Sequence, residues 1–439
     1  MRTLALDFGS TSLKAATLDG TKVVGQVARA KYTTRYSRDR AEVDPGEIFR
    51  VLEAVVKDLG SRARKVEAIA LGVMSPAWLA MDKRGRAITP IVTHQDRRSV
   101  RVAVELERRL GKARYLKLAG NRPAPGGISC TTWAWFLENE AAVMKRADLC
   151  GHLNTLLHRV MTGARVIDPS NASFTGLYAT VTQKGWHDDL IESVGIKRNQ
   201  LPQVIGANQV AGFVTQSAAR TFGLVQGTPM LAGCVDGSAA MMLTGAKVGQ
   251  LTNVSGSTDV LALCVEKPVP HERLITRALG MGNKWLSVAT LAAAGAAFDW
   301  TRRVLFSEMS ERAFWKVVER EGSGSRVQGS GEAGVVFEPY LAGERSAIEQ
   351  RRAVLRGLGL GTAREDMLKA IVRGLARASA ERLELLSSVG TQMRKDVVVS
   401  GGVLEVGRLM QRDWPGGFRF RTEENATLRG LGCLVPPDR

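Results

Sequence analysis

Two short turns, far apart in the chain, restrict its fold more than any other feature. Residues 5–18 read A-L-D-F-G-S-T-S-L-K-A-A-T-L, and residues 254–263 read V-S-G-S-T-D-V-L-A-L. In each, an apolar run meets a glycine and small hydroxyl residues, and a second apolar run follows, which is the pattern of a β-hairpin. One such hairpin is commonplace. Its return across more than half of a 439-residue chain predicts two related halves. Length agrees, because single hydrophobic cores stop growing at ~250–300 residues. We expect domains at 1–226 and 227–439, the second introduced by Gly227-Thr228-Pro229 and the buried-strand run M-L-A-G-C-V.

The order of elements around the two turns is similar. Arg2 to Asp7, Leu13 to Leu18 and Val23 to Ala30 read as a three-strand meander. Ile48, Val51, Leu52, Val55, Val56 and Leu59 fall on one face of a helix over 45–59, and a strand over 66–73 follows. A W-L-A-M-D strand comes next, and residues 100–200 are mostly helical. In the second half the hairpin 251–265 precedes a strand at 285–288, helices, V-V-V-S-G-G at 397–402 and a closing helix. The glycine-rich stretch 322–334 has no preceding strand and no terminal Lys-Ser/Thr, so it reads as a surface loop rather than a phosphate loop.

Several classes are excluded. The five cysteines are scattered with no C-x-x-C pair, which argues against a disulfide framework or structural zinc and for a reducing cytosol. The five histidines form no H-E-x-x-H motif, so no built-in transition-metal centre is expected. The chain enters a strand at once, leaving no room for a signal peptide. Ala289 to Phe298, the most apolar stretch, is about half the ~20 residues that span a bilayer. A cytoplasmic protein is expected. The charge of +18 is spread along the chain without aromatic interleaving, so it reads as a solvated basic surface, with neither nucleic acid nor membrane as partner.

Three elements could carry chemistry. A tight turn of small residues leaves backbone N–H groups unpaired and forms a concavity for anions. Ser10, Thr11 and Ser12 add hydroxyl donors and Lys14 adds positive charge, while Asp7 can hold Mg²⁺ directly or through water. The alternative for this stretch is a plain hairpin. The second turn, Gly256-Ser257-Thr258, could approach a polyphosphate from the other side of a cleft. In L-A-G-C-V-D-G-S-A-A-M-M an apolar strand ends at Asp236, and small residues then open a helix. Asp236 is a simple N-cap, or it accepts a proton from a substrate hydroxyl in phosphoryl transfer.

Taken together, the motifs resemble the FGGY carbohydrate kinases, nearly end to end. D-F-G-S-T-S-L-K-A-A resembles the first phosphate motif and V-S-G-S-T-D the second. I-V-T-H-Q-D-R-R-S (91–99), D-P-S-N-A-S-F-T-G-L (168–177), A-G-C-V-D-G-S-A-A, P-Y-L-A-G-E-R-S (339–346), V-V-S-G-G (398–402) and A-T-L-R-G-L-G (426–432) resemble further family segments in the right order. The resemblance implies an α/β protein of two ribonuclease-H-like (actin-like ATPase) domains with a cleft between them. It implies ATP and Mg²⁺ as cofactors, Asp236 as general base, and Asp7 with Asp236 placing the metal. Ser10–Ser12 and Gly256–Thr258 would hold the phosphates, and Gly401-Gly402 would lie against the adenosine. The acceptor would be a small sugar or polyol, foremost a ketopentose such as xylulose. A non-catalytic nucleotide-binding member of the same fold is the alternative, and a homodimer is allowed.

The sequence also departs from the family pattern. His94 stands where Trp is usual and reads as a packing residue at the domain cleft. Asp259 replaces a common glycine, Val403 replaces the third glycine of the adenosine loop, and Arg373-Gly374 replaces Glu-Gly. Residues 72–82 lack the usual substrate motifs, leaving Ser75, Trp78 and Asp96 as substrate-binding candidates.

Overall fold

The structure, a computed structural model of the chain, describes residues 1–322, 334–401 and 404–435. Most of the expected surface loop at 322–334 lies outside the described residues, as do Gly402 and Val403.

The first sheet is built on the expected meander: β1 (Arg2–Phe8), β2 (Ser12–Asp19) and β3 (Lys22–Lys31) are consecutive antiparallel neighbours. β4 (Ala68–Val73) lies parallel to β1. In the second sheet, β5 (Leu251–Ser255) and β6 (Asp259–Val265) form the second hairpin. β8 (Trp285–Leu291) runs antiparallel to β6 and also pairs with β7 (Ile275–Ala278). β9 (Asp396–Ser400) runs parallel to β5, and β10 (Arg419–Thr422) closes that edge. The orders β3-β2-β1-β4 and β8-β6-β5-β9 therefore match, pairing sense included, which is the duplication announced by the two turns.

One expectation needs adjustment. Pro229–Leu231 and Cys234–Val235 hydrogen bond to β4 of the first sheet, so that sheet continues beyond the expected boundary at 226/227. A parallel partner more than a hundred residues away cannot be read from local pattern. The W-L-A-M-D strand, Ala77–Met81, joins a separate five-stranded sheet.

Helix α1 (Pro45–Leu59) shows how local sequence sets an element. Asp44 accepts the Gly46 N–H at 2.8 Å, and Pro45 occupies the first turn, where its missing N–H costs nothing. Gly60, with φ of 58°, ends the helix. Its six expected apolar residues are all buried against the first sheet's core.

The chain's end returns to the first lobe. Helix α4 (Ala426–Gly430) packs against α2 (Asp236–Leu243) and the β1–β2 hairpin. The approach is so close that a Cβ on Gly430 would lie 1.9 Å from the Ala239 carbonyl oxygen. The long helix α3 (Arg364–Ser387) covers the second sheet. Among the described residues, no helix is long and apolar enough to cross a membrane.

Candidate active site

Ser10 of the first turn, Thr258 of the second, and Asp236 line one cavity with Ser75, His94, Phe174, Arg277 and Arg345. A larger hollow of about 720 Å³, lined by Arg35, Asp44, Arg84, Arg86 and Arg159 among others, contains none of the expected residues.

Each turn is fixed by backbone bonds. The Gly9 N–H donates to the Ser12 carbonyl at 3.1 Å, and the Tyr32 N–H to the Thr11 carbonyl at 3.2 Å. The tyrosine hydroxyl donates to the Gly9 carbonyl. Thr11 is exposed, whereas Ser12 is buried and its Oγ accepts from Arg29 Nε at 3.3 Å. Ser12 therefore braces the sheet side of the turn. In the second turn the Gly256 N–H donates to the Thr258 carbonyl at 2.8 Å. Ser257 is exposed, and its carbonyl accepts the Ala294 and Ala296 N–H groups, while the Gly256 carbonyl accepts from Gly295. Gly401 has a φ of 137°, and a Cβ there would meet the Ser255 carbonyl oxygen at 1.6 Å. Glycine is the residue that lets the end of β9 pass the base of the second turn.

Asp236 begins α2 directly after an extended Val235, and its Oδ1 accepts the Gly237 N–H at 2.7 Å. Burial raises its pKa, while the Gly237 N–H, Arg277 and Arg345 pull it back down. Asp7 faces Lys14 across the β1–β2 pair. Burial, then repulsion from Asp236, pushes Asp7 up to about 7 against the pull of Lys14. The two carboxylates thus feel one another, which makes this a place where a cation is favoured. Among the described residues no group of three or more His, Cys, Asp or Glu could hold a metal by itself. A pair of carboxylates nonetheless fits Mg²⁺, which uses one or two of them and completes its shell with phosphate oxygens and water.

Two of the substrate candidates lie elsewhere. Trp78 is 1% exposed and packs in the core against Trp133 and Phe136, with ring centroids 6.0 and 5.0 Å away. Asp96 is 1% exposed and is consumed by structure: Oδ2 accepts from the Ala41 N–H at 2.8 Å and from Arg98 at 2.7 Å, and Oδ1 accepts from the Arg98 N–H. Neither lines the cavity. Ser75 does, with its Oγ 3.3 Å from His152 Nδ1. His94 also lines the cavity. Burial and the nearby Arg345 and Arg97 keep its ring neutral, so it is not poised as a proton donor.

The site also contains residues that sequence reasoning passed over. Arg277 at the end of β7 donates to Ser238 Oγ, and Arg345 donates to the Ser75 carbonyl. The second was visible as the arginine of P-Y-L-A-G-E-R-S, whereas the first carried no signal. The segment 168–173 holds the backbone beside Asp236 and Arg277 in place. Asp168 accepts from Ser170 N, Asn171 Nδ2 and Asn154 Nδ2 at 2.8, 2.6 and 3.0 Å. Ser170 Oγ then accepts the Val235 N–H at 2.9 Å, and Ser173 Oγ accepts the Ala278 N–H at 3.0 Å. One short helix thereby fixes the neighbours of both Asp236 and Arg277.

Two duplicated α/β lobes whose hairpin turns face one cavity across a carboxylate define an actin-like ATPase fold. Residues 2–243 match the N-terminal domain of the FGGY family of carbohydrate kinases, and residues 251–412 match its C-terminal domain. The chain belongs to this family, whose members are phosphotransferases with an alcohol acceptor. It is 21% identical to a xylulose kinase of Staphylococcus xylosus over 98% of this chain and 90% of that one. It is 25% identical to a glycerol kinase of Thermococcus onnurineus over 93% of this chain and 82% of that one. The crystal structure of xylulose kinase from Rhodospirillum rubrum superposes with a TM-score of 0.83 at 21% identity, covering 98% of this chain and 88% of that one.

Proposed function

We propose that the chain transfers the γ-phosphoryl group of ATP to a hydroxyl of a small sugar or polyol, with Asp236 as general base. The observation that carries this reading is the opening of Asp236 into the cavity shared by Ser10 and Thr258. The acceptor oxygen attacks the γ-phosphorus, the bond to the β–γ bridging oxygen breaks, ADP leaves, and the acceptor proton passes to Asp236. A carboxylate whose pKa is raised by burial takes that proton more readily than a solvated one. The two turns would hold the β- and γ-phosphates through backbone N–H groups and the hydroxyls of Ser10 and Thr258. Gly401 would lie by the adenosine. Asp7 and Asp236 would hold Mg²⁺, which when bound offsets phosphate charge.

Asp236→Asn keeps the shape and removes the base. Positioned general bases contribute ~10²–10⁴ in rate, so kcat should fall by about that factor in an ADP-release assay, with ATP affinity changed less than about threefold. Wild-type turnover in this variant would refute the role.

A further inference from the structure

The walls of the cavity carry more positive charge than its contents balance. Three buried arginines elsewhere in the chain are paired with carboxylates: Arg382 with Asp259 at 2.7 Å, Arg98 with Asp96 at 2.7 Å, and Arg122 with Glu107 at 2.7 Å. Arg277, 2% exposed, and Arg345 have no carboxylate within ion-pair distance among the described residues. They flank the Phe174 ring, with guanidinium carbons 6.0 and 5.4 Å from its centroid. Arg345 Nε is buried without a hydrogen-bond partner.

Charges facing these groups are few. Among the described residues, Asp236 is the one carboxylate lining the cavity beside them, and it attracts both. Asp168 also acts on Arg277, but its oxygens are occupied by Ser170, Asn171 and Asn154. Arg97 adds a further repulsion to Arg345, although its own donors are satisfied by neutral oxygens of Gln350, His94 and Ala342. A buried cation without a partner is costly, so the cavity favours a ligand that brings its own anion.

We propose that the acceptor is a sugar acid, a polyhydroxylated carboxylate whose carboxylate sits between Arg277 and Arg345 while a hydroxyl meets Asp236. This rests on the reading of the cavity as the acceptor site, and it departs from the neutral ketopentose expected from sequence. An acceptor carboxylate and the γ-phosphate share the chemistry that arginine recognises. The acceptor is favoured because Arg345 is fastened to Ser75 and Phe174, on elements separate from both turns.

The test is titration of the full chain, without nucleotide, with four- to six-carbon aldonates and with the ketose and alditol of matching carbon skeleton. An aldonate should bind at least about tenfold more tightly than its alditol. Arg345→Met should reduce that preference below about threefold, and Arg345→Lys should retain part of it, with ATP affinity unchanged in both. Three results overturn the proposal: equal binding of aldonate and neutral partner, no aldonate binding at about 10 mM, which would put the binding free energy weaker than about −3 kcal/mol, or equal weakening of ATP and aldonate by Arg345→Met. Turnover of a neutral ketose with no aldonate preference would sink this inference but keep the kinase reading. Aldonate binding without phosphoryl transfer would sink the kinase reading and the aldonate's role as acceptor, and keep the carboxylate site between Arg277 and Arg345. Arg277→Met provides a second variant should Arg345→Met fail to fold.

Discussion

Replacing Asp259 by Asn should cost about 3–5 kcal/mol of stability, the price of breaking a buried ion pair from one side. Asp259 is fully buried at the start of β6. Its Oδ2 accepts from Arg382 Nη2 at 2.7 Å, and its Oδ1 accepts from Asn253 Nδ2 at 2.8 Å and Ser255 Oγ at 2.5 Å. Arg382 is 8% exposed, and its Nε already lacks a partner. Burial holds its pKa below the usual arginine value, with Asp259 opposing. Removing the carboxylate's charge leaves that guanidinium uncompensated beneath the second turn. The reference energy is large against the ~5–15 kcal/mol that typically separates folded from unfolded states. Urea unfolding followed by tryptophan fluorescence would measure it in Asp259→Asn, Arg382→Met and the double variant. The double variant should recover at least about 2 kcal/mol relative to the sum of the singles, because no lone charge remains. Since Asn253, Ser255 and Asp259 together anchor the turn, KM for ATP should also rise in Asp259→Asn, more than kcat falls. A loss below about 1 kcal/mol, or strict additivity, would refute the reasoning.

Two further predictions concern the frame around Asp236. Gly430 has a helical φ of −64°, so Gly430→Ala meets no backbone penalty, and its cost comes from the 1.9 Å approach to Ala239. We expect about 1–3 kcal/mol of overpacking and a fall in kcat as α2 shifts; unchanged unfolding and activity would refute the close contact. His158 is fully buried, and its Nε2–H donates to the Ala232 carbonyl at 3.0 Å. Burial lowers its pKa to about 4, so the unfolded chain takes up the proton first. Stability is full above pH ~6.5 and declines down to pH ~4, by about 2 kcal/mol at pH 5 from this ring. His158→Gln should shrink the loss between pH 7.5 and 5 by that amount, and an unchanged loss would refute it.

Local chemistry determined much of this molecule. Small residues between apolar runs announced both hairpins, helical spacing announced α1 down to its buried face, and a carboxylate between an apolar strand and a small-residue helix announced Asp236. Each of these is set by neighbours a few residues away, where backbone geometry and burial are correlated with sequence. Residues 229–235 join the first sheet, Asp96 serves Arg98 and Ala41, and Trp78 lies among aromatic rings. None of these could be read locally, because β4, Ala41 and the rings of Trp133 and Phe136 all come from distant segments, Arg98 alone being a near neighbour of Asp96. The same holds for the cavity's charge. Arg277 and Arg345 look in sequence like two of 61 basic residues. Only the packing of β7 and the 339–346 segment around Phe174 withdraws them from water and turns two surface-type cations into a demand for an anion.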